Sequence, residues 1–206
     1  MRAAIEDAFT VSWDTMDSLD GPLATSTAAG IILTAYAGSF STIAPSLTTG
    51  ERAALRAFVD AGHFAIILLD NDGYGGPSDP FNDSLANPFG IDAIGTVIPD
   101  GGFTSATPTS GDAGVHPIFA AVSSMPQYFP GWLGILGDGG APAPSVIATN
   151  EMGPAVDVFE KQGLGSQSGV VVLFSDTGSF TDDVPGGLTP AVQKVLVRAL
   201  RYAAEK

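Results

Sequence analysis

The stretch that most constrains this chain is LTTGERAALRAFVDAGHFAIILLDNDGYGG, from Leu47 to Gly76. Thr48 followed three residues later by Glu51 is a capping-box signature for a helix start. Leu55, Phe58 and Val59 then recur at helical spacing, and Gly62 suits the left-handed residue that ends a helix. The apolar run Phe64 to Leu69 is too short to cross a membrane. It is apolar at every position, as a parallel strand covered by helices on both faces must be. It gives way to Asp70-Asn71-Asp72-Gly73, polar and turn-forming, and ligands of open parallel sheets bind at that end of the strands. The stretch predicts an α/β fold and directs the search for function to the strand ends.

Two further runs have the same character. Gly30 to Tyr36 ends in Gly38-Ser39-Phe40-Ser41, small residues around which a backbone can approach a ligand. Gly169 to Ser175 closes on Asp176-Thr177-Gly178-Ser179, and Thr189-Pro190 opens a last helix with Val192, Val195, Leu196 and Ala199 facing inward. At the start, Arg2 to Ala8 has the residues of a short helix and Phe9 to Trp13 alternates like a strand, followed by a polar connection from Thr15 to Thr27. Gly73 to Asp83 reads as a loop, Asp83 to Phe89 as a short helix, Gly95 to Pro99 as an edge strand and Gly101 to Gly114 as a second loop. Short runs at Trp132 to Leu136, Ser145 to Thr149 and Ala155 to Phe159, separated by Gly and Pro, predict an antiparallel excursion. No repeat or long linker divides residues 1–206, so one domain with a mainly parallel sheet is expected.

Composition narrows the partners. With 8 Lys+Arg against 22 Asp+Glu, a net charge of -14 disfavours nucleic acid, whose phosphates need basic contacts. The acidity itself fits solubility, an extracellular setting or a salt-rich host. With no cysteine there is no disulfide, thiolate metal site or cysteine nucleophile. Nothing near Met1 resembles a signal peptide, and no run approaches membrane length, so membrane insertion is not expected.

Three passages together carry a family resemblance: LTTGERAALRAFVDAGHFAIIL; SLANPFGIDAIG with HPIFAAVSSM; and SVIATNEMGPAVDVFEKQGLGSQSGVVVLFSDTGSFTDD. Over about Gly30 to Lys206 the chain resembles class I glutamine-amidotransferase-like domains of flavodoxin-like fold. Within that superfamily it is most similar to a non-catalytic, envelope-associated branch. Relatives of that branch include ThuA-like proteins, the middle domain of some β-galactosidases and the GIFT domain of intraflagellar transport. The resemblance implies a flavodoxin-like three-layer sandwich. Catalytic members place a cysteine on the turn after the strand matched here by Phe64–Leu69, with a His and a Glu beyond a later strand. Here that turn holds Asp70, Asn71 and Asp72, no histidine follows Gly169–Ser175, and amidotransferase chemistry is excluded. The resemblance therefore implies a binding or assembly module of a secreted or cell-envelope protein, with a protein partner or self-association. The rival reading is a hydrolase or carbohydrate-active enzyme using the strand-end aspartates. Relatives also begin with a buried strand before their first helix, and here Arg2 to Ala8 already resembles that helix. The opening strand is thus expected to be missing, with Phe9–Trp13 re-pairing onto Gly30–Tyr36 or the gap filled from a neighbouring subunit.

The candidate ligand-binding residues are Ser39, Asp70, Asp72, His116, Asp176 and Ser179. Asp70, Asp72 and Asp176, with Asp182 and Asp183 nearby in sequence, offer oxygen ligands for Ca²⁺, the one cofactor considered. Phe81 stands where a calcium loop starting at Asp70 needs its glutamate, and turn chemistry with surface acidity is the preferred reading. Asp176-Thr177-Gly178 matches the local look of an aspartic protease, but that chemistry needs two copies and only one is present. A turn whose carboxylate caps backbone N–H groups is the better expectation. His116, held extended by Pro117, is a titrating group for a cleft, although a lone histidine is more often structural. Gly163, Gly165 and Gly169 precede a strand and do not make a dinucleotide fingerprint; a tight turn is expected. Tyr74, Tyr128, Phe129 and Trp132 supply aromatic surface for carbohydrate or protein, with Trp132 also suited to a core.

Overall fold

Thr48 caps the predicted helix as its sequence dictates. Its hydroxyl accepts from the Glu51 amide at 3.2 Å while Glu51 Oε2 accepts from the Thr48 amide at 2.8 Å. The architecture is that of a computed structural model, described for residues 2–12, 18–34, 46–70, 81–94, 102–111, 114–128, 130–137, 142–181 and 187–206. Its helices are α1 (Arg2–Glu6), α2 (Asp20–Thr25), α3 (Thr49–Asp60), α4 (Phe81–Ala86) and α5 (Pro190–Glu205). Its strands are β1 (Gly30–Thr34), β2 (Phe64–Leu68), β3 (Ile91–Ile94), β4 (Phe103–Pro108), β5 (Ser110–Gly111), β6 (Gly114–Val115), β7 (Met125–Tyr128), β8 (Trp132–Ile135), β9 (Ser145–Thr149), β10 (Pro154–Phe159) and β11 (Val171–Phe174).

The main sheet has seven strands in the order β1-β2-β11-β10-β9-β4-β7. β1 pairs with β2 in parallel from Gly30 opposite Phe64 to Thr34 opposite Leu68, and β11 pairs with β2 in parallel on its other side. From β11 outward every ladder is antiparallel: to β10, then β9, β4 and β7. Strands β3 and β8 form a separate antiparallel pair, as do β5 and β6.

The expected mainly parallel sheet is therefore corrected: parallel pairing is confined to β1, β2 and β11. The reason lies in residues 160–170, which contain no crossover helix of the kind that returns a chain in parallel. They form a tight turn instead, with Gly163 donating to Glu160 O at 2.7 Å and Gln162 to Ser168 O at 2.8 Å. The glycines thus serve the turn that their spacing suggested. Gly169 has a further constraint, since a β-carbon there would lie 2.2 Å from the His63 carbonyl oxygen.

Two other expectations are revised. Residues 9–12 form no strand; Phe9 and Val11 pack half-buried against the core, and Trp13 lies outside the described residues. These residues do not re-pair with β1, which stands at the edge of the sheet and pairs with β2 on its other side. The Phe64 ring lies so close over Gly30 that a β-carbon would come within 2.3 Å of it. The segment Gly101–Gly114, read as a loop, contains β4 and starts the β5–β6 hairpin. In β4 only Ala106 is buried and Thr104, Ser105 and Thr107 leave the strand largely solvated, so the apolar signal was missing although β-branched residues were present. The predicted strand Gly95–Pro99 and the Gly38-Ser39-Phe40-Ser41 segment lie outside the described residues.

Both faces of the sheet carry core. On one, Ile66, Leu68, Val156, Val158, Val172 and Phe174 meet Val192, Val195, Leu196 and Ala199 of α5. On the other, Ala65, Ile67, Leu69, Val171 and Leu173 meet Leu55, Phe58 and Val59 of α3, with Phe81, Leu85, Ile91 and Leu133 beyond. The two-residue period of a strand sends alternate side chains into each cluster, which is why these central runs are apolar throughout.

Two substitutions separate local from tertiary control. Thr48→Ala removes one capping acceptor and should cost about 1 kcal/mol in urea unfolding. Gly169→Ala forces backbone apart at the entry to two central strands and should cost clearly more, about 2 kcal/mol or above.

Candidate functional site

Because β2 and β11 run in parallel as neighbours, Asp70 and Asp176 emerge at the same end of the sheet. The ends are tied together by main-chain bonds, Leu69 N to Phe174 O at 2.8 Å and Thr177 N to Leu69 O at 2.6 Å. The hydroxyls of Thr34 and Thr177, 2.9 Å apart, join β1 to the same knot.

Asp176 lies at the centre and is fully buried. Its Oδ2 accepts from the Tyr128 amide at 2.7 Å and from the Ser179 hydroxyl at 2.6 Å. Ser179 Oγ also lies 2.7 Å from Pro126 O, which sets the short turn Gly178–Phe180 against β7. Next to it Gln127 Nε2 donates to Ser175 Oγ at 3.2 Å, and Asn150 Nδ2 donates to Gln127 Oε1 at 3.1 Å. Asn150 Oδ1 in turn accepts from the Met152 and Gly153 amides, closing the β9–β10 connection. The Asp-Thr-Gly-Ser segment is thus a turn whose carboxylate holds a backbone N–H. That amide belongs to β7, 48 residues away in sequence, rather than to the turn itself. Gly178 is required there, because a β-carbon would sit 2.8 Å from Asp176 Oδ1 and 3.1 Å from Tyr128 O.

Burial pushes the Asp176 carboxyl up to about 7, helped by the nearby Asp70 charge and opposed by the bonds from Ser179, Tyr128 and Gly178. Its Oδ1 completes no hydrogen bond among the described residues. Asp157 is a second such group, one the sequence reading passed over. It sits in mid-strand on β10, opposite Leu173 and Val146, with 2% of its surface exposed. Burial pushes it to about 7 as well, and its Oδ1 also has no partner among the described residues. The signal was present: one carboxylate in the otherwise apolar AVDVF.

The structure gathers only some of the candidate residues. Asp176 and Ser179 are bonded to each other, and Asp70 lies at the adjacent strand end, 4% exposed, its amide donating to Asn82 Oδ1 at 2.9 Å. Ser39, Asp72, Asp182 and Asp183 lie outside the described residues, as do Tyr74 and Phe129. Among the described residues no three His, Cys, Asp or Glu side chains converge as a metal-binding group. His116 does not join the aspartates. It neighbours Glu160, just past the end of β10 that lies opposite the start of β11, so it occupies the other end of the sheet. The Pro117 turn carries it onto α5 instead of toward the strand ends. Of the aromatic candidates, Tyr128 meets the Phe103 ring of β4 at a tilt of 55° with centroids 4.8 Å apart, and half-buried Trp132 packs over Gly153.

Neither family models nor curated proteins match the sequence. Solved structures do resemble the fold. The cytoplasmic protein STM3548 from Salmonella typhimurium matches with a TM-score of 0.56 at 13% identity, over 92% of this chain and 76% of its own. The mmIFT52 N-terminal domain gives 0.53 at 15% identity, over 79% of this chain and 74% of its own. The cytoplasmic protein STM1381 from Salmonella typhimurium LT2 gives 0.52 at 14% identity, over 74% of this chain but 60% of its own length. These likenesses show a shared mixed α/β fold. No helix among the described residues is long and apolar enough to cross a membrane.

The two buried carboxyls set a pH dependence. Each has a folded pKa raised from 3.8 to about 7, so between those values the folded chain binds more protons than the unfolded one. Their contribution is favourable below pH about 4 and is lost as pH rises through about 7. Asp157→Asn removes one ionisation, so its melting temperature should fall less than that of wild type between about pH 5 and about pH 8, and exceed it at the upper end.

Proposed function

We propose that this chain is a non-catalytic binding or assembly module, built on a flavodoxin-like three-layer variant of the glutamine-amidotransferase-like superfamily. The observation that carries the reading is the state of Asp176. It is the acid of the chain's most catalytic-looking motif, yet it is fully buried and its Oδ2 fastens β7 and the following turn. A reagent must reach its substrate, and this group instead holds structure. Ser179 is equally enclosed and is bonded to that same carboxylate, and His116 stands at the far end of the sheet, out of reach as a base.

The same reading places the partner on the antiparallel half. The large apolar side chains exposed among the described residues are Phe103 and Val146 on β4 and β9 of that half, Val115 on the β5–β6 hairpin, and Ile135 and Leu136 at the end of β8 in the separate β3–β8 pair. Apolar residues left outside a well-filled core are what a protein partner or a second copy covers. Raised pKa values favour the rival, a hydrolase using strand-end aspartates, since a general acid works near neutrality. Burial is the largest cause of both shifts, and at Asp157 it is the one cause.

The test has two arms. Purified chain should release no ammonia from glutamine and cleave no chromogenic glycoside above the buffer rate. A turnover that vanishes in Asp176→Asn while the fold persists would establish the rival reading. In the second arm, light scattering of wild type against a Phe103→Ser, Ile135→Ser double variant should show reduced association in the variant, with or without an added protein partner.

A further inference from the structure

Three segments remote in sequence converge on the ring of His116, away from Asp176. Its Nδ1 accepts from the Ile118 amide at 3.4 Å and so caps the short 3-10 turn Pro117–Phe119. With Nδ1 as acceptor, the neutral ring keeps its proton on Nε2. That nitrogen is buried and faces Glu160 Oε1 at 3.5 Å, a separation at which no good hydrogen bond forms. The other Glu160 oxygen accepts the Tyr202 hydroxyl at 2.6 Å, and the Tyr202 ring meets the His116 ring edge-on at 4.7 Å. The charged and titrating groups around the ring are Glu160 from the end of β10, with Tyr202 and Lys206 from α5 and its end. The Lys206 ammonium stands 5.0 Å from the centre of the Tyr202 ring, and Lys161 Nζ donates to the Lys206 backbone oxygen. On the other side of the turn Arg198 donates to Ala120 O.

The turn is thus tied to α5 by a guanidinium that never titrates and capped from within by an imidazole that does, whose ring rests edge-on against Tyr202 of α5. We propose that His116 is a pH-sensitive clasp that fastens the Pro117–Phe119 turn to α5 when neutral and releases it when protonated. A second proton can go only to Nδ1, where it opposes the Ile118 N–H, donor against donor. The cap is then lost, and a charge is confined in a site that burial has dried. That burial holds the His116 basicity below the ordinary histidine range, with Glu160 opposing it and Lys206 adding to it. The folded pKa of this base lies below its unfolded value of 6.5, so the clasp contributes fully above that pH. Its contribution is lost as pH falls through the folded value. The segment it frees carries Ile118 and Phe119, both with no exposed surface, and leads through Val122 and Met125 into β7.

Amide exchange of the full chain, read by NMR at about pH 7.5 and about pH 5 and corrected for intrinsic rates, tests this. Ile118 should lose about fivefold or more of its protection on acidification, the loss of one cap. His116→Asn keeps a cap acceptor without a titrating ring and should hold its protection across the same range. Glu160→Gln removes the carboxylate that favours the charged ring, so its opening midpoint should move to lower pH. Equal Ile118 protection at both pH values in wild type would overturn the clasp. So would an equal acid loss in His116→Asn, or, where that variant does not fold, an unmoved midpoint in Glu160→Gln.

Discussion

The structure depends on one contact, the parallel approach of β11 to β2. Each of these strands is apolar on both faces, and side by side they send alternate residues into the two cores that α5 and α3 cover. The approach is close at its start, where Gly169 passes the His63 carbonyl with no room for a β-carbon. It is locked at its finish, where Leu69 and Phe174 and then Thr177 and Leu69 exchange main-chain bonds. Everything placed at the strand ends, Asp70 and Asp176 included, inherits its position from this pair.

The antiparallel half hangs on β11 through β10 and is fastened back by polar groups rather than by more core. Asp176, Ser179, Gln127 and Asn150 form a chain of bonds from the end of β11 to β7 and to the β9–β10 connection. Such a network is worth most when every member is satisfied and costs most when one is not. Asp176 Oδ1 is its weak point, and Asp157 Oδ1, outside the network in mid-strand, is a second buried carboxyl oxygen without a hydrogen bond among the described residues. A protein with a net charge of -14 thus raises two of its acids from the ordinary carboxylate range to about 7 by taking them out of water.

The candidate site looks different once this network is seen. A motif resembling catalytic aspartate chemistry becomes a fastening between two halves of a sheet, and the histidine that might have served it fastens another turn at the opposite end. Phe103 and Val146 stand exposed on the antiparallel half of the sheet, whereas Asp157 and Asp176 are buried. The solved structures that share this fold span it at 13–15% identity, as expected where the layering of strands and helices is retained and the surface is not.

By itself the sequence determined the capped helix at Thr48, the buried strands at Phe64 and Gly169, the tight turn at Gly163 and the final helix from Thr189, while the run at Gly30, expected to be equally buried, is a half-buried strand at the edge of the sheet. Each of these rests on local physics: a cap and its partner three residues on, a run apolar on both faces, a glycine where no side chain fits. Only the tertiary structure decided that parallel pairing stops at β11, because strand direction depends on where a connection returns and not on the strand's own residues. The same holds for β4, a polar strand that exists through its neighbours β9 and β7. It holds for Asp157, for the 48-residue reach between Asp176 and Tyr128, and for the separation of His116 from both aspartates. Those facts are distances between residues remote in sequence, and no pattern of adjacent residues encodes them.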